Sequence, residues 1–361
     1  MLRVGFIGAG RIADMHYEGY RNNPVARLHA VCDTDPGLLR RRAGQWEVEK
    51  TYDDYRRLLN DPEIDAVEII TPHHLHKQMA IDALDAGKHV SVQKPMALNI
   101  ADADAMVAAA ERSGTLFRVT ENYRYYPPFS KAKQLLDDGE IGEPISIRIK
   151  SLTGNAKHGW EIPTGAQGWR SDPARSGEGS IVFDHGQHIW SIARYFLGDI
   201  ESAFAFMGRE RVEAFHELQP GSLLDNPIMA SWKYRGADRY GSWEGVYSDD
   251  MVVHSKYYPI YVWLEITGSS GMLSVNHFIG KRLDRPALEM YRDGDMTSFT
   301  DLDADYATSF ARAGRDFADA ILEGRQSDLT GAEGREVLRF SLAVIRSGKE
   351  RREVFVDEIT D

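Results

Sequence analysis

The first third of the chain alternates short apolar runs with longer segments in which apolar residues recur at a helical period. The runs predict strands at Leu2–Ile7, Ala26–Cys32, Ala66–Ile70, Val90–Val92 and Leu116–Thr120. The segments between them predict helices at Arg11–Arg21, Gly37–Gln45, Asp53–Leu59, His74–Ala86 and Ala101–Ser113. Nearly continuous apolar strands joined by helices predict a parallel sheet covered on both faces. The carboxyl ends of such strands share one edge, where open α/β sheets bind ligands.

The pattern changes in the second part of the chain. From Ile145 to about Tyr291, strand-like runs follow one another with turns between them. Consecutive strands without intervening helices predict an antiparallel sheet and a second domain of the α+β class. Helical periodicity returns over residues 306–324 and 331–349.

Composition narrows the possible functions. A chain of 361 residues is too long for one ordinary hydrophobic core, so two domains are expected. The net charge of -12 leaves no surplus of Lys and Arg to neutralise the phosphates of a nucleic acid. The single cysteine, Cys32, excludes an intramolecular disulfide and fits a reducing compartment. No apolar run approaches the roughly 18 residues of a membrane span, and the first run leads into a glycine motif, not a cleavage site. We therefore expect a cytoplasmic protein that binds neither nucleic acid nor membrane.

A glycine-rich turn lies between the first predicted strand and helix. Gly8 permits the tight turn, and Gly10 lets the backbone approach a pyrophosphate at the helix N-terminus, with Arg11 and Ile12 in the same site. Asp33 ends the second strand, where an acid binds the ribose 2′-hydroxyl. The alternative is a plain turn followed by a capping aspartate. A carboxylate there repels a 2′-phosphate, so NAD is favoured over NADP.

A lysine follows the strand-like stretch HVSVQ. Lys94 lies on the edge where the cofactor is expected, and Pro95 biases it towards an extended conformation. The alternative is a solvated surface charge. Partial removal from water lowers the pKa of an amine and suits it to proton transfer or to stabilising an alkoxide.

A second candidate pair lies in GSIVFDHGQHIWSIARYFLG, which we predict to continue as a helix to Gly198. Asp184 and His188 are four residues apart and would share one helix face. Histidine titrates near neutrality, and a carboxylate can orient it or bind a substrate hydroxyl. The alternative is an aspartate cap with a buried histidine.

Four motifs in chain order resemble the glucose–fructose oxidoreductase/inositol dehydrogenase (Gfo/Idh/MocA) family. They are Gly8–Ala13, TPHHLH at Thr71–His76, GKHVSVQKP and DHGQH. The resemblance implies a Rossmann-like NAD-binding domain at 1–122. It also implies a substrate-binding and oligomerisation domain of the α+β class at 123–361, built on a large, open, mostly antiparallel sheet. The implied activity is oxidation or reduction at a carbon of a sugar, cyclitol or related polyol.

The resemblance also implies site residues. Lys94, Asp184 and His188 would be catalytic, and further cofactor contacts would be Thr71, Pro72, His76, Gln93 and Lys94 itself. The family usually has Glu-Lys-Pro where this chain has Gln-Lys-Pro, so we expect a lower pKa of the lysine than beside a carboxylate. Ser191 stands where the family often has an aspartate.

Substrate contacts are expected where TENYRYYPPF leaves the last parallel strand, in the stretch HGWEIPTGAQGWRSD, and beside the aspartate. The candidates are Asn122, Arg124, Trp160, Trp169, Arg170 and His185, although tryptophans are more often core. Metal ligation by His73, His74 and His76 is disfavoured because neighbours at a helix start diverge. We expect no metal.

These inferences predict an NAD-dependent dehydrogenase acting on a cyclic polyol. His188 would accept the hydroxyl proton, Lys94 would stabilise the alkoxide and relay the proton, and Asp184 would orient substrate and imidazole. The alternatives are a redox-neutral glycoside-cleaving or epimerising enzyme, a reductase working in the opposite direction, and a non-catalytic sugar- and NAD-binding regulator. The apolar runs YVWLEI and ASWKY on an open sheet predict a homodimer or homotetramer.

Overall fold

The computed structural model describes residues 1–155, 160, 164–211, 222–281 and 284–361. The amino-terminal strands are β1 (Leu2–Ile7), β2 (Ala26–Cys32), β3 (Lys50–Tyr52), β4 (Ala66–Ile69), β5 (His89–Gln93) and β6 (Phe117–Thr120). They form a six-stranded parallel sheet in the order β3-β2-β1-β4-β5-β6. The predicted parallel sheet is confirmed. The sequence analysis missed β3, because a strand of three residues is too short to show a period.

Helices cover the faces of this sheet. They are α1 (Ala13–Arg21), α2 (Pro36–Trp46), α3 (Tyr55–Leu59), α4 (His76–Asp85) and α5 (Ile100–Ser113). Side-chain caps fix several starts: Asp35 accepts N–H groups at the start of α2, and Asn99 does so at α5. The side chain of Ile12, which precedes α1, supplies no such cap.

A second sheet occupies the later part of the chain. Its strands are β7 (Pro144–Asn155), β8 (Ile200–Met207), β11 (Ile228–Tyr234), β12 (Tyr240–Val252), β13 (Ile260–Gly268), β14 (Gly271–Val275), β15 (Leu288–Arg292), β16 (Asp295–Phe299) and β17 (Val354–Phe355). Within the described residues these nine strands run in the order β16-β15-β14-β13-β7-β12-β11-β8-β17. The strands β9 (Glu210–Arg211) and β10 (Leu223–Leu224) pair separately. The pairing of β12 with β7 is parallel and its neighbours are antiparallel, so the predicted mostly antiparallel sheet is confirmed.

The later helices contact the second sheet or elements of the first domain. They are α6 (Pro127–Asp137), α7 (Pro173–Ser176), α8 (Gly186–Leu197), α9 (Tyr306–Glu323) and α10 (Gly331–Glu350). Short 3₁₀ turns lie at His73–Leu75, Asn122–Tyr125, Thr164–Ser171 and Val356–Glu358, and a π-helical turn lies at Ser180–His185. Trp190 of α8 is fully buried against Trp243 and Phe340, which joins the helix layer to the sheet.

The last two helices tie the two sheets together. Helix α9 crosses α1 so closely that a Cβ on Gly314 would lie 2.6 Å from the Cα of Gly19. Helix α10 packs against β6, where a Cβ on Gly334 would lie 2.4 Å from a methyl of Val119. The carboxyl edge of the parallel sheet faces α8 and the turn before it, because residues that follow β5 and β6 contact residues of both. The domain boundary expected at residue 122 stays a prediction. The chain passes from the first sheet to the second near this residue, but the carboxyl-terminal helices α9 and α10 pack back against the first domain.

Candidate active site

The turn after β1 has the geometry that the glycine motif requires. Gly8 has φ +101°, and a Cβ there would lie 2.3 Å from the carbonyl oxygen of Ile70. At Gly10 a Cβ would meet no atom of the described residues within 4 Å, so the backbone is open on that side. The N–H groups of Ala13, Asp14 and Met15 donate to the carbonyls of Gly10, Arg11 and Ile12, so an anion would be held by the turn before the helix and by the dipole of α1. The turn fits a pyrophosphate.

Asp33 lies beside this turn at the end of β2. Its carboxylate accepts the N–H of Ala9 at 2.8 Å and the N–H of Asp35 at 2.9 Å. Each oxygen keeps a lone pair that can accept from a ribose hydroxyl. Arg42 of α2 donates to the carbonyl of Ala9 at 3.2 Å and pairs with Asp14, so it is already engaged by its own neighbours. These contacts favour a dinucleotide without a 2′-phosphate.

Arg11 and Trp160, predicted for cofactor and substrate respectively, lie against each other. The guanidinium carbon of Arg11 is 4.2 Å from the centre of the indole. The backbone N–H of Trp160 donates to the backbone carbonyl of Tyr257 at 3.0 Å, in the loop between β12 and β13, and the indole meets the Tyr257 ring edge-on at 5.5 Å. Residues 156–159 and 161–163 of the same stretch lie outside the described residues. The pair bridges the glycine turn and the second sheet.

His76 contacts two backbone carbonyls. Its side chain is fully buried, with Nδ1 2.8 Å from the carbonyl oxygen of Pro95 and Nε2 2.9 Å from that of Thr71. Burial lowers the pKa of His76 to about 4, so the ring is neutral at neutral pH and donates a hydrogen bond to only one of these two carbonyls. The ring lies between the two loops that follow β4 and β5, and a direct cofactor contact of His76 stays a prediction. Thr71 and Pro72 are half-buried at that edge and stay predicted cofactor contacts.

Lys94 and Asp184 meet at the carboxyl edge of the parallel sheet. The Nζ of Lys94 donates to Oδ1 of Asp184 at 2.8 Å and to its carbonyl oxygen at 3.0 Å. Arg170 forms an ion pair with the other carboxylate oxygen. The carboxylate of Asp184 thus pairs with two cationic side chains. It is the carboxylate partner of Lys94, a role that the neutral amide of Gln93 cannot fill.

The indole of Trp169 completes this corner of the site. The guanidinium carbon of Arg170 lies 4.6 Å from the centre of that indole, and His73 meets it edge-on at 4.7 Å. The Nε2 of His73 is 3.7 Å from Oδ1 of Asp184, and burial holds the pKa of His73 well below its usual value. Trp169 and Arg170 therefore lie beside the Lys94–Asp184 pair, and they stay predicted substrate contacts.

His188 takes its carboxylate partner from a residue that the sequence analysis overlooked. Its Nδ1 is 2.8 Å from both carboxylate oxygens of Glu121, which is 2% exposed. The ring stacks on Tyr123 with centroids 4.0 Å apart and planes 3° apart. The prediction that Asp184 orients this imidazole is wrong, because Asp184 lies in the π-helical turn that ends before His188, and α-helical spacing does not apply there.

The two members of this pair differ in charge. Burial lowers the pKa of His188, the charge of Glu121 opposes this, and Lys94 adds to the lowering, so the net shift is downward. Burial would raise the pKa of Glu121, but His188 and the N–H of Tyr123 outweigh it and the pKa is lowered. A neutral imidazole beside a carboxylate donates through Nδ1. Its Nε2 is then left as a proton acceptor.

His185 lies next to this pair and is 8% exposed. Its Nε2 is buried and has no hydrogen-bond partner among the described residues. The ring lies 6.0 Å from that of His188, and burial holds the pKa of His185 well below its usual value. It stays a predicted substrate contact.

Asn122 and Arg124 point into the interior. Asn122 donates to Ser309 at 2.8 Å, and Arg124 donates to Ser191 at 3.0 Å and pairs with Asp328 at 3.3 Å. These hydrogen bonds direct both side chains towards helices, and their role as direct substrate contacts stays a prediction. Ser191, where the family often has an aspartate, is the hydroxyl that accepts from Arg124.

Gln93 contacts its neighbours through both ends of its amide. The oxygen accepts the backbone N–H of Lys94 at 2.9 Å, and the nitrogen lies 2.7 Å from Nε2 of His16.

Among the described residues, no three His, Cys, Asp or Glu side chains converge in a way that could hold a metal ion. In the same part of the chain, no helix is both long enough and apolar enough to span a membrane.

Comparisons with known proteins agree with this geometry. A family model described as "Oxidoreductase family, NAD-binding Rossmann fold" matches residues 2–121, and the "GFO/IDH/MocA C-terminal domain" model matches residues 129–274. The levoglucosan dehydrogenase of Pseudarthrobacter phenanthrenivorans is 25% identical and the myo-inositol 2-dehydrogenase of Thermotoga maritima 26%, with 99% of each chain covered in both cases.

A solved structure of a levoglucosan dehydrogenase with NADH and levoglucosan has the same fold. Its TM-score is 0.82 at 24% identity, with 98% of this chain and 99% of that chain covered. The two family models together span most of the chain, with the whole parallel sheet and strands β7, β8, β11, β12 and β13 of the second sheet. The chain belongs to the Gfo/Idh/MocA family and is an oxidoreductase with an NAD-binding Rossmann domain.

Proposed function

We propose that the protein transfers a hydride between the nicotinamide of NAD and a carbon of a sugar, inositol or related cyclic polyol. The observation that carries the proposal is the convergence of Lys94, Asp184 and the Glu121–His188 pair at the carboxyl edge of the parallel sheet. This edge also carries the glycine turn. The names of the relatives, which are levoglucosan and inositol dehydrogenases, support the substrate class.

The chain would hold the cofactor through the turn at Gly8 and Gly10, the N-terminus of α1 and Asp33. Bound NAD supplies the hydride acceptor in the oxidative direction and the hydride donor in reduction. The protein's own contribution is to bind, to orient and to move one proton.

His188 serves as the general base in oxidation. Its Nε2 takes the hydroxyl proton while Nδ1–H donates to Glu121, and the carboxylate stabilises the imidazolium that results. The flat stack on Tyr123 fixes the plane of the ring. In reduction the same imidazolium returns the proton to the oxygen.

Lys94 stabilises the negative charge that develops on the substrate oxygen. Its amine is held by Asp184, and the side chains of both residues are about one-sixth exposed, so substrate can reach them. A preorganised ammonium in a partly dry site acts more strongly than the same group in water. Asp184 also holds Arg170, which can bind further hydroxyl groups of a polyol.

An NAD-coupled screen over inositols, aldoses, uronates and glycosides tests the proposal. NADH absorbance should rise with at least one free polyol. Consumption of a glycoside without net NADH would favour redox-neutral chemistry in its place. Ligand binding with no turnover across the panel, in the presence of NAD or NADH, would overturn the enzymatic proposal and favour a regulatory role.

We also propose that two or four copies associate through the open face of the second sheet. Phe206 and Met229 are cross-strand partners on that face and are 66% and 55% exposed. Sedimentation velocity should detect dissociation in Phe206→Glu but not in Leu322→Glu, which alters an exposed apolar residue of α9. An unchanged sedimentation coefficient in Phe206→Glu would contradict the proposal.

A reducing compartment such as the cytoplasm is the environment that we propose, since Cys32 is the single cysteine and is buried. Burial raises the pKa of the Cys32 thiol to about 12, which keeps it unreactive. We further propose the division into a dinucleotide-binding domain at 1–122 and a substrate domain at 123–361. The change of sheet between β6 and β7 supports this division.

A further inference from the structure

A chain of hydrogen bonds that the proposed reaction does not use runs from the backbone of Lys94 into the parallel sheet. It passes through Gln93 of β5 to His16 of α1, and on to Glu68 of β4. His16 is 4% exposed and Glu68 is 2% exposed. We call His16, Glu68 and Gln93 the buried relay.

The direction of each bond follows from its ends. A backbone N–H can only donate, so the atom of Gln93 that faces Lys94 is the amide oxygen. The amide nitrogen then faces Nε2 of His16 with hydrogens to give, and that nitrogen must accept. The imidazole therefore carries its hydrogen on Nδ1, where the carboxylate of Glu68 accepts it.

The surroundings of the relay balance its charge. Tyr20 donates to Glu68 at 2.7 Å, and the guanidinium of Arg118 lies 3.6 Å from the same carboxylate. Towards its other neighbours His16 meets the aromatic rings of Phe6 and Phe310 edge-on. Arg118, which also lies 3.9 Å from Asp316 of α9, compensates Glu68. A neutral His16 therefore leaves no uncompensated charge.

A carboxylate at position 93 would change this balance. An oxygen that cannot donate would face Nε2 of His16, which would then have to donate. An imidazole that donates from both nitrogens carries a second proton and a positive charge. The negative charge added at position 93 would be cancelled by the proton taken up at His16.

We propose that Gln93 and His16 are positioning residues that hold the backbone of Lys94, and that the side chain at position 93 sets the number of protons on His16. With an amide at position 93 the His16 ring carries one N–H proton, and with a carboxylate it carries two. The relay also joins α1, which follows the glycine turn, to the strand that ends at Lys94. The expected effect on kcat rests on the proposed function, whereas the number of protons on His16 does not depend on it.

A double-mutant cycle with Gln93→Glu and His16→Gln tests the pair. A glutamine at 16 keeps one donor and one acceptor, as a neutral imidazole does, but it cannot take a second proton. Between two carboxylates it always leaves an acceptor facing an acceptor. The kcat of the double variant should fall about tenfold or more below the value that the single variants predict.

The control is the cycle of Gln93→Glu with His76→Gln. His76 is also buried near Lys94, but it contacts carbonyl oxygens and not position 93. Its effect should combine additively with Gln93→Glu. Additivity in the His16 cycle, or equal coupling in both cycles, would overturn the proposal.

A second experiment measures the protonation of His16 by NMR after selective ¹⁵N labelling of histidine. The His16 signals are assigned by their loss in His16→Gln. Nε2 of His16 should be bare in the wild-type protein at neutral pH and protonated in Gln93→Glu. A protonated Nε2 in the wild type overturns the proposal even if the variant fails to fold. Because this arm needs no turnover, an inactive wild-type protein would defeat the proposed function and leave the proton count decided.

Discussion

His188 and Glu121 form the central acid–base contact of the site, with Nδ1 of the imidazole 2.8 Å from both carboxylate oxygens. Glu121 directly follows β6, and His188 lies in the first turns of α8, so the contact joins the parallel sheet to the helix layer of the second sheet. The carboxylate fixes which ring nitrogen carries the hydrogen. Nε2 is therefore the ring nitrogen that is left to accept a proton.

The pH profile of the wild-type enzyme should report this environment. Oxidation needs a neutral His188, so kcat/KM should fall as the pH drops through its pKa. Burial places that pKa below the ordinary value of about 6.5 for histidine. We expect the acid limb of kcat/KM against pH to have its midpoint below this value. A midpoint above it would contradict the assignment of His188 as the base.

Replacing the charge of Glu121 should move that limb. Glu121→Gln keeps an oxygen that can accept from Nδ1, but it removes the charge that raises the pKa of His188. The acid limb should shift to lower pH while kcat for oxidation falls about 10²-fold, since the imidazolium loses its counter-ion. Asp328→Asn, which alters the partner of Arg124, is the control and should leave the limb in place. Equal pH profiles for Glu121→Gln and the wild type would exclude the pairing as a catalytic device.

Lys94 should matter for chemistry and little for the cofactor. Lys94→Ala removes the ammonium that stabilises the developing alkoxide, so turnover should fall about 10²- to 10⁴-fold. NADH binding, followed by nicotinamide fluorescence, should stay nearly unchanged. The control is Lys88→Met, because Lys88 precedes β5, is 8% exposed and donates to the carbonyls of Asp61 and Ile64. That variant should lose thermal stability and keep kcat; wild-type-like turnover in Lys94→Ala would refute the mechanism.

The sequence predicted the features that local pattern controls. Strand and helix periods, the glycine turn and the position of Lys94 are written in short segments, and the structure has them where they were expected. The Asp184–His188 relationship was assumed from α-helical spacing, which the π-helical turn invalidates. The roles of Glu121 and Arg124 depend on contacts between distant segments, and no period reveals them. For Glu121 a signal existed: it is an acid directly after a strand that ends at the ligand edge.

Two glycines of the same turn should respond differently to alanine. At Gly8 a Cβ would lie 2.3 Å from a backbone oxygen and φ is +101°, so Gly8→Ala should lower the free energy of unfolding by about 1–3 kcal/mol or more. At Gly10 a Cβ meets no described atom within 4 Å, so Gly10→Ala should leave the melting temperature of the cofactor-free protein nearly unchanged. The added methyl would instead occupy the space that the pyrophosphate needs, and affinity for NAD should fall. Thermal melts with and without NAD separate the two effects, because Gly10→Ala should lose most of the stabilisation that NAD gives the wild type. Full stabilisation of Gly10→Ala by NAD would mean that the cofactor does not approach the backbone at this turn.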